Sequence, residues 1–328
     1  MRVLLLGILI AGHQPGERIV FLGDSITDGH TLALLVEQAL RGPRALNAGV
    51  AGDTAQGMLQ RLDRDVLSRR PTRVVLSVGI NDLFHQVSAE AYARDVTAIA
   101  VRLRERGIAL LLCTPTILGP KHREAEKKLG DYMAVLRRIG SPVAEVHAAL
   151  DGARTGPAEL LEPDQVHLTF AGYRLMARAV LDGLGHPERE VPRTLALEPL
   201  PGIVREWRLR ALPDGEWRSL ALPQKEAVPH WWMDQERRRG FAVELGTEKR
   251  FRATATVDSP SARAVFLYTG AAIESITLNG RPLWKSEGWT GWHAGKERIA
   301  ARLGAGPNSI EIECGTSFFL SMADDDSG

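Results

Sequence analysis

Two periodicities divide the chain. From Ile19 to about Leu184, short runs built almost wholly of apolar or β-branched residues alternate with longer stretches whose apolar residues recur every three or four positions. Strands covered by helices on both faces lose the in-out alternation, so the apolar runs 19–22, 45–47, 73–78, 108–113 and 142–146 predict a parallel sheet. Between them, Tyr92, Val96, Ile99 and Leu103 line one helical face behind Ser88, and Tyr173, Met176, Ala177, Val180 and Leu184 line another behind Thr169. Ser and Thr are good N-caps, and each apolar stripe is expected to pack on the sheet.

Beyond residue 202 the period changes to two. Phe251, Ala253, Ala255 and Val257 alternate with polar residues, as do Ile310, Ile312 and Cys314, which predicts half-buried antiparallel strands. Asn279-Gly280 separates two apolar runs and favours the type I′ turn of a two-residue hairpin. No helical pattern of useful length is visible after residue 202, so this part is expected to be all β. Pro187, Pro192, Pro199 and Pro201 lie among charges just before it, the composition of a semi-rigid linker. The expected organisation is therefore an α/β domain over 17–185, a linker over 186–202 and a β domain over 203–328. The start, MRVLLLGILIA, joins Arg2 to an apolar stretch far shorter than the ~20 residues that span a bilayer, so no stable membrane insertion is expected. The same stretch resembles a compact signal peptide, which with its lead-in over 1–16 predicts a secreted or periplasmic protein; an extra apolar strand is the alternative.

Charge and cysteine content narrow the function classes. A formal charge of +1 leaves no basic excess for phosphate neutralisation, so nucleic acid is not an expected partner. Cys113 and Cys314 each sit in an apolar run and are expected to be buried thiols, too few for a disulfide framework or a cysteine metal site.

The chemistry-bearing residues cluster at predicted strand ends. The first strand runs into Gly23-Asp24-Ser25-Ile26-Thr27-Asp28, and open α/β sheets place their sites at such carboxyl ends. Alone, Ser25 reads equally well as a helix cap. The second strand leads into Asn47-Ala48-Gly49-Val50-Ala51-Gly52-Asp53-Thr54, and the third into Gly79-Ile80-Asn81-Asp82. Asp164-Gln165-Val166-His167 precedes the last helix, at a spacing that lets the carboxylate accept a hydrogen bond from the imidazole. In this order, the four blocks over 18–184 resemble the SGNH (GDSL-type) serine hydrolases. The resemblance implies a flavodoxin-like parallel sheet with flanking helices and hydrolysis of esters, commonly acyl groups on carbohydrates or lipids, with no cofactor and no metal. It also implies Ser25 as nucleophile, His167 as general base, Asp164 as its orienting carboxylate, and Gly52 and Asn81 as oxyanion donors, with Gly49 the rival to Gly52. A serine hydroxyl needs a neutral imidazole to take its proton during attack, and the developing oxyanion needs N–H donors.

Other chemistries use the same residues less well. No Gly-x-Ser-x-Gly occurs, so the α/β-hydrolase nucleophile elbow is absent. Asp24, Asp28, Asp53 and Asp82 could gather a divalent ion, although caps and turns account for them more simply. His85, His122 and His147 read as surface or supporting residues. All seven tryptophans follow residue 202: Trp207 and Trp217 are expected in a core, Trp284 in the hairpin, and Trp231-Trp232, Trp289 and Trp292 in loops where they would meet a ligand or a neighbouring domain. The stretches around Asn279-Gly280 and 303–312 resemble the galactose-binding-like jelly-roll sandwich, which implies an all-β sandwich domain. The expectation is an esterase that deacylates a substrate, first an acetylated carbohydrate. A small-ester, lipid or thioester hydrolase is the alternative, and a catalytically silent carbohydrate-binding protein the reading from another class.

Overall fold

A computed structural model describes residues 16–156 and 159–324, so the expected export signal lies outside the described residues. The chain divides into two compact units; apart from residues 48–51, the first ends at Leu195 and the second begins at Ala196.

The first unit carries β1 (Arg18–Gly23), β2 (Arg44–Gly49), β3 (Arg73–Ser77), β4 (Ala109–Cys113) and β5 (Val143–Ala144). They form a parallel sheet in the order β2-β1-β3-β4-β5. Val20, Leu22, Val74, Leu76 and Leu112 have no exposed surface, as continuous apolar strands require when helices cover both faces. β5 is shorter than expected because Val146 opens a helix, Val146–Asp151. The helix Ala89–Arg104 starts at Ser88, whose hydroxyl accepts from the Ala91 amide, and it buries Tyr92, Val96, Ile99 and Leu103. Thr169 caps Phe170–Gly183 in the same way. In this strand order the chain crosses over between β1 and β3, which opens a crevice at their carboxyl ends.

The second unit is an antiparallel sheet of β6 (Glu206–Ala211), β7 (Arg218–Ala221), β8 (Phe251–Ser259), β9 (Arg263–Leu278), β10 (Arg281–Lys285), β11 (Arg298–Leu303) and β12 (Gly306–Ala323). The order is β10-β9-β12-β8-β6-β7, with β11 also paired to β9. Phe251, Ala253, Ile310, Ile312 and Cys314 fill its core, as their alternation predicts. Asn279 and Gly280 both take positive φ (50° and 74°), the requirement of the hairpin turn joining β9 to β10. Cys113 and Cys314 are free and buried, and burial pushes the Cys113 thiol up to about 12.

Two expectations for this unit need correction. A helix, Trp231–Arg239, is present, so Trp231 and Trp232 lie on a helical turn and not in a loop. Its buried residues are Gln235, Glu236, Arg237 and Arg239, and Glu236 takes an ion pair from Arg239 at 3.0 Å and a hydrogen bond from Gln235 at 2.8 Å. A charged stripe buried through pairing leaves no apolar period to read. Trp217 is 37% exposed with the guanidinium groups of Arg208 and Arg210 over its ring, whereas Trp207 is in the core and donates to the Val204 carbonyl.

Candidate active site

The turn after β1 sets the position of Ser25. Asp24 follows the strand in extended conformation and accepts from the Ile26 amide at 3.0 Å, which makes Ser25 the first residue of a short helix, Ser25–Asp28. That helix is held from two sides. Asn47 Nδ2 donates to the Thr27 and Asp28 carbonyls, and the Tyr173 hydroxyl donates to the Ile26 carbonyl at 2.8 Å.

The Asp164–His167 loop is organised by its own carboxylate. A bridge between Leu161 and Leu168 closes it, and the Glu162 amide donates to the His167 carbonyl at 2.8 Å. Asp164 Oδ1 accepts from the amides of Val166 and His167, both at 2.9 Å, which leaves Oδ2 facing His167 Nδ1 at 2.6 Å. The other ring nitrogen, Nε2, lies 2.9 Å from Ser25 Oγ. Serine, imidazole and carboxylate thus form one hydrogen-bonded chain. Partial burial alone would raise the Asp164 carboxyl, but the hydrogen bonds from the His167 ring and the two amides hold it at about 2, so it is ionised across the working pH range. Gln165, between them, has φ of +64°, a left-handed conformation rare for a side chain with a Cβ. It is secured by the Gly119 amide donating to its carbonyl at 2.9 Å and the Lys121 amide donating to its side-chain oxygen at 2.7 Å.

The third group of residues approaches from β2 and β3. Gly52 has φ of +82° with open space where a side chain would stand, so its backbone is unshielded and only glycine adopts the conformation without strain. Asn81 Nδ2 donates to the carbonyl of Asp53, the next residue, at 3.0 Å. Asp82 accepts from the Ala55 amide, and Arg61 joins Asp53 at 2.6 Å to the Gly23 carbonyl at 3.0 Å. These contacts bring Asn81 to the Gly52 turn and tie that turn to the end of β1. Gly79 permits the approach: its φ is +127°, and a Cβ there would press on Pro115 at 3.0 Å.

The remaining aspartates serve the loops. Asp24 and Asp82 cap or grip backbone amides, and Asp53 pairs with Arg61. Among the described residues, no three His, Cys, Asp or Glu side chains are grouped to hold a metal ion. Of the histidines outside the site, His122 approaches it, with Nε2 3.3 Å from the Asp164 carbonyl oxygen. Sequence reasoning missed Gln165 and Arg61, which reach Gly119, Lys121 and Gly23 far along the chain.

Residues 21–175 match the GDSL-like Lipase/Acylhydrolase family. This part of the chain is a GDSL-like acylhydrolase domain. It is similar to the acetylxylan esterase of Geobacillus stearothermophilus, 24% identical over 209 residues that cover 52% of this chain and 94% of that protein. It is also similar to Esterase TesA of Pseudomonas aeruginosa, 25% identical over 189 residues, 52% of this chain and 92% of that protein. The fold of the acylhydrolase domain is shared with an α/β hydrolase enzyme from the metagenome of Lake Arreo, at a TM-score of 0.50 and 23% identity over 53% of this chain and 98% of that one.

Asp24 gives the acylhydrolase domain a pH-dependent stability. Burial, aided by Asp82 and Asp53, outweighs the Ile26 amide and His167 and pushes its carboxyl up to about 7 from 3.8. Between those values the folded state binds the extra proton, so stability falls as pH rises from about 4 to 7, and the loss is complete above 7. Asp24→Asn keeps a capping oxygen and removes the titration. Its unfolding free energy is expected to gain on wild type progressively from pH 4 to pH 8, by a few kcal/mol at ~1.4 kcal/mol per pKa unit, read from denaturant unfolding at each pH. A constant difference across that range would show that Asp24 does not titrate in it.

Proposed function

We propose that the protein is a serine esterase that removes acetyl groups from a carbohydrate. The observation that carries the catalytic part is the chain from Ser25 Oγ through His167, at 2.9 Å and 2.6 Å, to Asp164. His167 Nε2 takes the Ser25 proton as Oγ attacks the ester carbonyl, and the imidazolium then gives that proton to the departing alcohol. Water, deprotonated by the same nitrogen, cleaves the acyl-serine and frees the acid. Asp164 keeps the proton of the imidazole on Nδ1 and stabilises its charge. The amides of Gly52 and Ser25 and the Asn81 side chain receive the oxyanion, with Asn81 exchanging its bond to the Asp53 carbonyl for one to the substrate.

The acetyl and carbohydrate parts draw support from the likeness to an acetylxylan esterase over nearly that whole protein. An exported location would suit such a substrate. Acetate release from O-acetylated polysaccharides, measured beside simple acetate esters, tests the assignment. Release from a polysaccharide supports it, and hydrolysis of simple esters alone would leave a small-ester hydrolase. Asn81→Ala is expected to lower turnover about 100-fold or more with KM little changed, the usual cost of one oxyanion donor. Unaltered turnover in that variant would remove Asn81 from the site.

A further inference from the structure

Phe84 is a large apolar side chain left 39% exposed, flanked in sequence by His85 and Gln86, which are also exposed. It lies in the helix Ile80–Phe84, three residues after Asn81 and therefore on the adjoining part of the same helical face. Its ring meets the edge of His122, with centroids 5.4 Å apart and planes at 67°. His122 in turn places Nε2 at 3.3 Å from the Asp164 carbonyl oxygen. The two rings thus form a ledge running from the Asn81 helix to the Asp164–His167 loop, both ends of which belong to the candidate site.

The direction of the chemistry assigns this ledge to one half of the ester. The departing oxygen must lie within reach of His167 Nε2 to receive its proton, so the alcohol leaves on the side of the His167 loop. That is the side His122 occupies. The acyl carbon, bonded to Ser25, carries its substituent away from this nitrogen. A single exposed ring with polar neighbours offers one apolar face and a hydrogen-bonding rim, which matches a pyranose, whose C–H face is apolar and whose edge carries hydroxyls. An alkyl chain would instead need a continuous apolar wall, and His122, His85 and Gln86 interrupt it.

We propose that Phe84 and His122 form the alcohol subsite and stack the sugar ring from which the acyl group is removed. This rests on the esterase function proposed above and adds the residues that select the alcohol. The test compares wild type with Phe84→Ala and Phe84→Tyr on an O-acetylated methyl pyranoside, ethyl acetate and ethyl butyrate, with melting temperatures as a check on folding. Phe84→Ala is expected to lower the kcat/KM ratio of the pyranoside to ethyl acetate about ten-fold through KM, the scale set by removing one aromatic face from water. Phe84→Tyr restores the ratio, and the butyrate to acetate ratio keeps its wild-type value. In a Ser25→Ala background, calorimetric binding of the same pyranoside weakens by a similar factor when Phe84→Ala is added. An unchanged pyranoside ratio and unchanged binding would overturn the subsite, as would a selective loss on ethyl butyrate, which would place Phe84 against the acyl chain. If wild type hydrolysed none of the three esters, the esterase function would fail, and the calorimetric comparison would still decide whether the ledge holds a sugar.

Discussion

Alanine at Ser25 is expected to lower ester turnover by about 10⁴-fold or more, because serine and histidine act as one unit and removing either abolishes the covalent route. The hydroxyl is the group that His167 Nε2 faces at 2.9 Å. Its loss leaves the base without a proton to take, whereas the oxyanion donors and the substrate contacts persist and supply the residual rate. Folding should be almost unaffected. The short helix after β1 is capped by Asp24 and held by Asn47 and Tyr173, none of which uses the Ser25 side chain. Turnover in a purified, normally melting Ser25→Ala protein measures this, and activity within ten-fold of wild type would mean that another group is the nucleophile.

Asparagine at Asp164 is expected to cost about 10³- to 10⁴-fold in kcat, through the tautomer and not through the fold. The asparagine oxygen can still accept from the amides of Val166 and His167, which keeps the loop closed. Its NH₂ group then points at His167 Nδ1 and donates to it. The imidazole is left with its hydrogen on Nε2, aimed at Ser25, and cannot take the serine proton. Asp164 is half-exposed, at 50% of its side-chain surface, so water moderates the loss. KM should move little. A kcat loss smaller than ten-fold would show that His167 is oriented without this carboxylate.

The parts of this molecule that were legible in the sequence are those whose chemistry is local. The strands of the first sheet could be read because burial on both faces forces continuous apolar runs, and the two long helices because Ser88 and Thr169 cap a clear stripe. Ser25, Asn81, Asp164 and His167 stood out because each belongs to a short block at a strand or helix edge. The Asp-x-x-His spacing has a plain cause: the Asp164 carboxylate binds the amides of its own loop and thereby meets the ring three residues on. What was not legible depends on distant partners. The helix Trp231–Arg239 buries Glu236 against Arg239, so its packed face carries charges where a reader looks for leucine. Trp217 was expected in a core, yet arginines on β6 cover its ring at the surface. Nothing in the sequence marks Gln165, and its left-handed backbone and its bonds to Gly119 and Lys121 show it as the brace of the loop that carries His167. The choice between Gly49 and Gly52 was open in the sequence, and the positive φ of Gly52 beside the Asn81–Asp53 contact favours Gly52.

In the proposed reaction Ser25 becomes covalently acylated with His167 as its base. Treating the full-length protein with an organophosphonate and locating the adduct by peptide mass spectrometry tests it most directly. One adduct is expected, on the peptide carrying Ser25, formed in step with loss of esterase activity and absent from a His167→Ala variant. Ester hydrolysis that persists with no adduct at Ser25, or an adduct on a different residue that tracks the loss of activity, would contradict it.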